Sequence, residues 1–70
     1  MKITYDKIAD ALYISLKKGQ VKRTVEMREA IIVDLDGKGK PLGIEILGAS
    51  SQISKRDIQN LMKGNIPAFV

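Results

Sequence analysis

The sequence predicts an α+β fold: an antiparallel β-meander of four to five strands with one C-terminal helix packed on its apolar face. Short segments in which apolar and polar residues alternate are separated by glycine, aspartate and lysine, as expected for half-buried strands. Near the C-terminus the apolar spacing changes to three and four, which predicts a helix. A chain of 70 residues has room for a single domain, which we expect to span residues 1–70.

Five segments have the periodicity of strands. The strongest turn signal between them is Asp36-Gly37-Lys38-Gly39-Lys40, because glycine tolerates the positive φ angles of tight hairpin turns. The stretch from Asp6 to Asp10 predicts another turn. The predicted strands are residues 2–5, 11–16, 21–27, 31–35 and 41–47.

The register of the strands can be predicted from the alternation of side chains between the two faces of the sheet, because a slip of one residue moves every side chain to the other face. Antiparallel pairing across the two later hairpins places apolar residues opposite apolar residues, which supports the meander. The predicted pairs are Leu35 with Leu42, Val33 with Ile44, Ile31 with Ile46, Met27 with Ile31, and Val25 with Val33.

The helix is predicted at about residues 55–63. Ser54 precedes it, and its hydroxyl can accept from a free backbone N–H, while Asp57 suits the positive end of the helix. Ile58, Leu61 and Met62 then share one face. The apolar tail at residues 66–70 is expected to pack on the core or on a partner.

Composition excludes several chemistries. The chain has no cysteine and no histidine, so disulfides, thiol nucleophiles, zinc sites with these ligands and imidazole catalysis are ruled out, and we expect no cofactor. Residues 1–10 lack the apolar region of a signal peptide, and no apolar run approaches the ~18 residues of a membrane span. We therefore expect a cytoplasmic protein that does not contact membranes.

The small size of the chain favours self-association. A domain of this length buries only about 60% of its unfolded surface, so oligomerisation is a common source of extra stability. On the sheet face opposite the predicted core, Tyr13, Ile32 and Leu47 could form the apolar centre of a dimer contact, with Phe69 of the tail as a further contact residue.

The same face carries acidic residues. Glu26, Asp34 and Glu45 on adjacent strands could bind a hard cation through oxygen ligands, which would allow a metal-dependent enzyme. A solvated sheet face is the simpler interpretation, so we expect no metal. Asp6 and Asp10 could also pair for acid–base work, but turn formation is favoured, with Ile8 between them anchoring the turn on the core.

The formal net charge is +4, which permits contact with polyanions. The basic residues are scattered in sequence and the aromatic residues are few, so nucleic-acid binding is the weaker expectation. Its candidate contacts are Lys17, Lys18, Lys22 and Arg23.

The segments YDKIADALYISL, TVEM and IIVDLDGKGKPLGIEILGAS resemble the small bacterial and archaeal proteins of the family called domain of unknown function 2283. The resemblance extends over roughly the first fifty residues, and it departs from the family pattern at Met27, Arg28 and Glu29. The family has no established activity, so the resemblance implies a fold and, for some members, an antitoxin-like role in a two-gene pair.

The expected function is a non-enzymatic protein-interaction module that acts as a homo-oligomer or as the partner of another small protein. A weak nucleic-acid-binding protein and a metal-dependent enzyme with an acidic sheet face are the two alternatives.

Overall fold

The computed structural model describes residues 1–64, in which one antiparallel sheet of five strands is followed by helical turns. This confirms the α+β class with a C-terminal helix. A short helix at residues 49–52, which the sequence analysis did not predict, precedes the predicted one. The elements are β1 (Lys2–Asp6), β2 (Ala11–Ser15), β3 (Arg23–Arg28), β4 (Ile31–Leu35), β5 (Pro41–Leu47), α1 (Ala49–Gln52) and α2 (Lys55–Met62).

The strand order is β1-β2-β5-β4-β3, so it departs from a purely sequential meander at one point. β2 pairs with β5 rather than with β3, and the four strands from β2 to β5 have Greek-key connectivity. Residues 16–22 make the long connection. They must cross three strand spacings, or about 14 Å, and seven extended residues reach about 23 Å, so the crossing is within reach.

Most of the predicted register is confirmed. Val33 pairs with Ile44, Ile31 pairs with Ile46, and Val25 pairs with Val33. The other two predicted pairs are wrong because each lies at an irregularity in the register, where one strand contributes an extra residue. The observed pairs there are Leu35 with Pro41 and Arg28 with Ile31.

The core lies where the helices meet one end of the sheet. Leu12, Ala49 and Ile58 are buried and contact one another, and α2 packs chiefly over β1. Ile3 and Tyr5 of β1 pack against this cluster. The helices therefore cover the β1 side of the apolar face.

The predicted start of α2 is confirmed. The Ser54 hydroxyl oxygen accepts a 3.1 Å hydrogen bond from the backbone N–H of Asp57, which satisfies one of the free donors at the helix start. The prediction that residues 66–70 pack on the core or a partner, and the contact assigned to Phe69, fall outside the described residues.

Candidate functional site

A row of apolar side chains runs across the sheet beyond the part that the helices cover. Val25 pairs with Val33, Val33 with Ile44, and Ile44 with Ile14, so one continuous row spans β3, β4, β5 and β2. We call Val25, Val33, Ile44 and Ile14 the apolar row. All four side chains are only half-buried, and none belongs to the buried cluster around Leu12.

A second row on the same face reaches the buried cluster under the helices. Ile31 pairs with Ile46, Ile46 with Leu12, and Leu12 with Tyr5. Within this row Leu12 is completely buried, and Ile46 and Tyr5 pack against the helical cluster. The two rows belong to the same face, but no side chain of the apolar row is buried as Leu12 is, which agrees with the position of α2 over β1.

The opposite face carries a hydrogen-bonded network around Asp34. The hydroxyl of Tyr13 donates to Asp34 Oδ2 at 3.2 Å, and the hydroxyl of Thr24 donates to Asp34 Oδ1 at 3.1 Å. The Tyr13 ring lies directly over Gly43, where an added methyl group would overlap the phenol oxygen. Burial of the phenol, together with the hydrogen bond to Asp34, raises the pKa of Tyr13.

This acidic face does not assemble a metal site from the predicted residues. Glu26 and Glu45 both flank Ile32, one on each neighbouring strand, so their backbones are about two strand spacings, or 10 Å, apart. Among residues 1–64 no three acidic side chains come together in a way that could hold a metal ion. The network is best described as a structural one in which Asp34 is held by hydroxyl donors.

The residues predicted for a dimer contact do share a face. Tyr13, Ile32 and Leu47 all lie on the face with the three carboxylates, and Leu47 is 37% exposed. Tyr13 and Ile32 are half-buried within the sheet surface, and Ile32 stands between two glutamates. An identical copy approaching this face would bring like charges together.

The two aspartates of the first turn have different roles. The Asp6 carboxylate accepts from the backbone N–H groups of Ile8 at 2.9 Å and Ala9 at 3.1 Å, which confirms the predicted turn role. The prediction that Ile8 anchors this turn on the core is wrong, because its side chain is 99% exposed at the tip of the turn. The turn is held by polar bonds alone.

Asp10 joins three parts of the chain, a role that the sequence analysis missed. Its Oδ1 accepts from the Tyr5 hydroxyl at 2.5 Å, and its Oδ2 accepts from the Ser50 hydroxyl at 2.7 Å. The backbone N–H of Ala49 donates to the Asp10 carbonyl at 2.9 Å. The hydrogen bonds to the carboxylate, first that from Tyr5 and then that from the Ser50 hydroxyl, lower the pKa of Asp10. In the sequence, this role is marked only by two motifs: Asp10 ends Y-D-x-x-x-D, and Ser50 ends A-S. Nothing in the spacing of the two motifs indicates that they are in contact.

Six basic side chains meet at the end of the sheet opposite the Asp10 turn. The crossing segment 16–22 and the β4–β5 turn lie side by side there, because the backbone N–H of Lys22 donates to the Leu35 carbonyl at 2.9 Å. Four of these residues, those before residue 24, were predicted as nucleic-acid contacts. The two in the turn were not, because the two segments are separate loops in the sequence. The basic end, as we call this group, comprises Lys17, Lys18, Lys22, Arg23, Lys38 and Lys40.

Asp36 organises the basic end. Its Oδ1 accepts from the backbone N–H groups of Lys38 at 2.8 Å and Lys40 at 2.9 Å, and its Oδ2 lies 3.5 Å from the ammonium nitrogen of Lys17. The N–H of Lys40, followed by that of Lys38 and the charge of Lys17, lowers the pKa of Asp36. These bonds therefore favour the ionised form of the carboxylate within the turn.

These features define a small α+β protein with one five-stranded sheet, an incompletely covered apolar face and oppositely charged surfaces. Neither of the helices within residues 1–64 has the length and apolarity needed to cross a membrane. The family described as "Protein of unknown function (DUF2283)" matches residues 2–50, so the chain belongs to this family and the resemblance found in the sequence is confirmed. No curated protein and no solved structure matches the chain.

The family match includes all five strands and ends at Ser50, before α2 begins. It therefore covers the apolar row, the acidic face, the Asp10 contacts and the basic end. Membership defines no activity, so these surfaces are the features of the described residues that bear on function.

Proposed function

We propose that the protein is a non-enzymatic interaction module of the cytoplasm that acts as a homodimer, with the apolar rows of two copies packed against each other. The observation that carries this proposal is the row of four half-buried aliphatic side chains across β3, β4, β5 and β2. Packing such a row against another apolar surface removes it from water, which is the main favourable term in protein association.

The weakness of the core supports the same proposal. Within the described residues, the buried apolar side chains are Leu12, Leu42, Ala49 and Ile58. Leu42 is separate from the other three and lies under the crossing segment, where a Cβ on Gly19 would be 2.7 Å from Leu42 Cδ2. So small a core benefits from burying further apolar surface between chains.

Charge favours a second copy on the apolar row and disfavours one on the acidic face. The row contains no ionisable side chain, so two rows can meet without repulsion. The other face carries Glu26, Asp34 and Glu45, and like charges brought together across an interface are costly. The proposed contact therefore differs from the surface of Tyr13, Ile32 and Leu47 that the sequence suggested.

Solution mass tests this proposal. We would measure it by light scattering over a range of protein concentrations at low and high salt, and we expect a dimer at both because the contact is uncharged. The test variant is Val25→Lys in the row, and the matched control is Thr24→Lys, the neighbouring residue on the opposite face.

The two variants make the test specific to one face. Val25→Lys should weaken the dimer at least about a hundredfold, because twofold symmetry would bury two unpaired ammonium groups, one from each copy, against apolar side chains. Thr24→Lys adds the same charge and should stay dimeric, and circular dichroism checks that both variants fold. A monomeric parent protein, or a dimer that survives Val25→Lys, overturns the proposal. A monomer that forms a defined complex with a different small protein favours the antitoxin-like alternative.

A further inference from the structure

The positive charge of the chain is concentrated in one place. The basic end contains six basic side chains, all exposed, and its two segments carry only one acid, Asp36. The rest of the chain has six basic and seven acidic side chains. The whole positive excess of the protein, which gives its net charge of +4, is therefore located at this end of the sheet.

The backbone that carries these side chains is firmly held. The backbone N–H groups of Leu16 and Lys22 donate to the carbonyls of Leu42 at 2.8 Å and Leu35 at 2.9 Å, which fixes both ends of the crossing segment to the sheet. The Lys22 side chain also lies close to Gly37, in the β4–β5 turn. A cationic surface on a fixed backbone loses less conformational freedom when it binds.

We infer that the basic end binds the phosphate backbone of double-stranded nucleic acid without reading its sequence. Lysine and arginine side chains displace counterions from phosphates, and this displacement supplies most of the affinity of sequence-independent binding. Aromatic side chains, which would stack on the bases of single strands, are absent from both segments of the basic end. The expected contact is therefore with the backbone of a duplex.

The outermost residues favour nucleic acid over an anionic membrane. Residues 17–20 and 37–40, which form the two loop tips, consist only of lysine, glycine and glutamine. Binding at a membrane surface is usually strengthened by apolar or aromatic side chains that enter the lipid. The exposed large apolar side chains of the two segments are Leu16 and Val21, at the ends of the crossing segment, and neither is aromatic. Charge therefore dominates the tips, which suits the phosphates of a rigid duplex.

The test measures binding of a short, fluorescein-labelled DNA duplex of mixed sequence by anisotropy, from about 50 mM to about 200 mM KCl. The test variant replaces two lysines of the basic end, Lys18→Gln with Lys38→Gln. The matched control replaces two exposed lysines at the other end of the molecule, Lys7→Gln with Lys63→Gln, and so has the same net charge.

For the parent protein we expect log K to fall with log salt with a slope of about −4.5 to −5.5, as for five or six phosphate contacts. The test variant should lose about two units of that slope and bind at least tenfold more weakly at about 50 mM KCl. The control should stay within about twofold of the parent protein.

Three outcomes would overturn the inference. The first is an absence of binding at about 50 mM KCl. The second is an equal loss in both double variants, which would show attraction by net charge rather than by a located surface. The third is tighter binding to phosphatidylglycerol vesicles than to the duplex, which would assign the basic end to a membrane. The inference does not depend on self-association, since neither pair of lysines lies in the apolar row.

Discussion

The Asp10 carboxylate and the Ser50 hydroxyl, which are 40 positions apart in sequence, are joined by a 2.7 Å hydrogen bond. The same carboxylate accepts from the backbone N–H of Ser50 at 3.1 Å and from the Tyr5 hydroxyl. Asp10 also has a positive φ of 52°, a conformation that aspartate and asparagine adopt more readily than other non-glycine residues. One side chain thus fastens the β1–β2 hairpin to the start of α1.

The first prediction compares the two aspartates of this turn. Asp10→Ala removes the acceptor for three donors and places alanine at a positive φ, so we expect the melting temperature to fall by more than about 10 °C. Asp6→Ala loses two bonds within an exposed turn, and we expect a fall of about 5 °C or less. Thermal unfolding followed by circular dichroism measures both.

Asp10→Asn provides the control for conformation. Asparagine tolerates the positive φ and keeps one carbonyl acceptor, so its melting temperature should lie between those of the parent protein and Asp10→Ala. Equal losses for the alanine variants at positions 6 and 10 would show that Asp10 does no more than hold the turn.

The difference between Asp6 and Asp10 shows how far sequence reasoning extends here. Turn chemistry acts over two or three residues, so the bonds of Asp6 could be predicted from its position. The partner of Asp10 lies on α1, which no periodicity predicted because the helix has four residues. A contact between distant segments requires the strand order, which local patterns do not contain.

Strand order also explains why only four of the six residues of the basic end were predicted. The alternation of apolar and polar residues was enough to place Val33 opposite Ile44 and to separate the apolar face from the acidic one. It could not show that β2 pairs with β5, an arrangement that places Leu12 opposite Ile46 under the helices. That pairing brings the crossing segment alongside the β4–β5 turn, so Lys38 and Lys40 join the other basic residues.

The second prediction concerns acid unfolding. The pKa of Asp36 is lowered from its usual 3.8, first by the hydrogen bond from the N–H of Lys40 and then by that from the N–H of Lys38. The pKa of Asp10 is also lowered, chiefly by the hydrogen bond from the Tyr5 hydroxyl. A carboxyl whose pKa is lower in the folded state stabilises the fold above its unfolded pKa, and this contribution is lost as the pH falls through the folded pKa. Stability should therefore be level down to about pH 4 and decline below it.

Asp36→Asn tests the origin of that decline. The amide keeps an oxygen that can accept from the turn but has no charge to titrate, so the fall in stability below about pH 4 should be less steep than in the parent protein. Urea unfolding at a series of pH values gives the comparison. If the two proteins decline in parallel, the ionised form of Asp36 does not contribute to folding.

The third prediction concerns the contact between Tyr13 and Gly43. An alanine methyl group at position 43 would overlap the Tyr13 phenol, and the ring is also held by its bond to Asp34. We expect Gly43→Ala to destabilise the fold by about 1–3 kcal/mol, the usual range for overpacking. Urea unfolding of the single variant measures this cost.

A double-mutant cycle separates the overlap from any effect of the glycine backbone. In the background of Tyr13→Ala the space over position 43 is empty, so Gly43→Ala should become at least about 1 kcal/mol less costly. The contact has no part in the effect if Gly43→Ala costs the same in both backgrounds.

The last prediction uses two isoleucines in opposite surroundings. Ile58 of α2 is 4% exposed and contacts Leu12 and Ala49, whereas Ile8 at the tip of the first turn is 99% exposed. Ile58→Ala should cost about 2–5 kcal/mol, through lost burial and the cavity that remains, while Ile8→Ala should change stability by less than about 0.5 kcal/mol. If Ile58→Ala does not fold, Ile58→Val should still cost about 0.5–1.5 kcal/mol. Equal effects at the two positions in urea unfolding would mean that α2 does not pack on the sheet in solution.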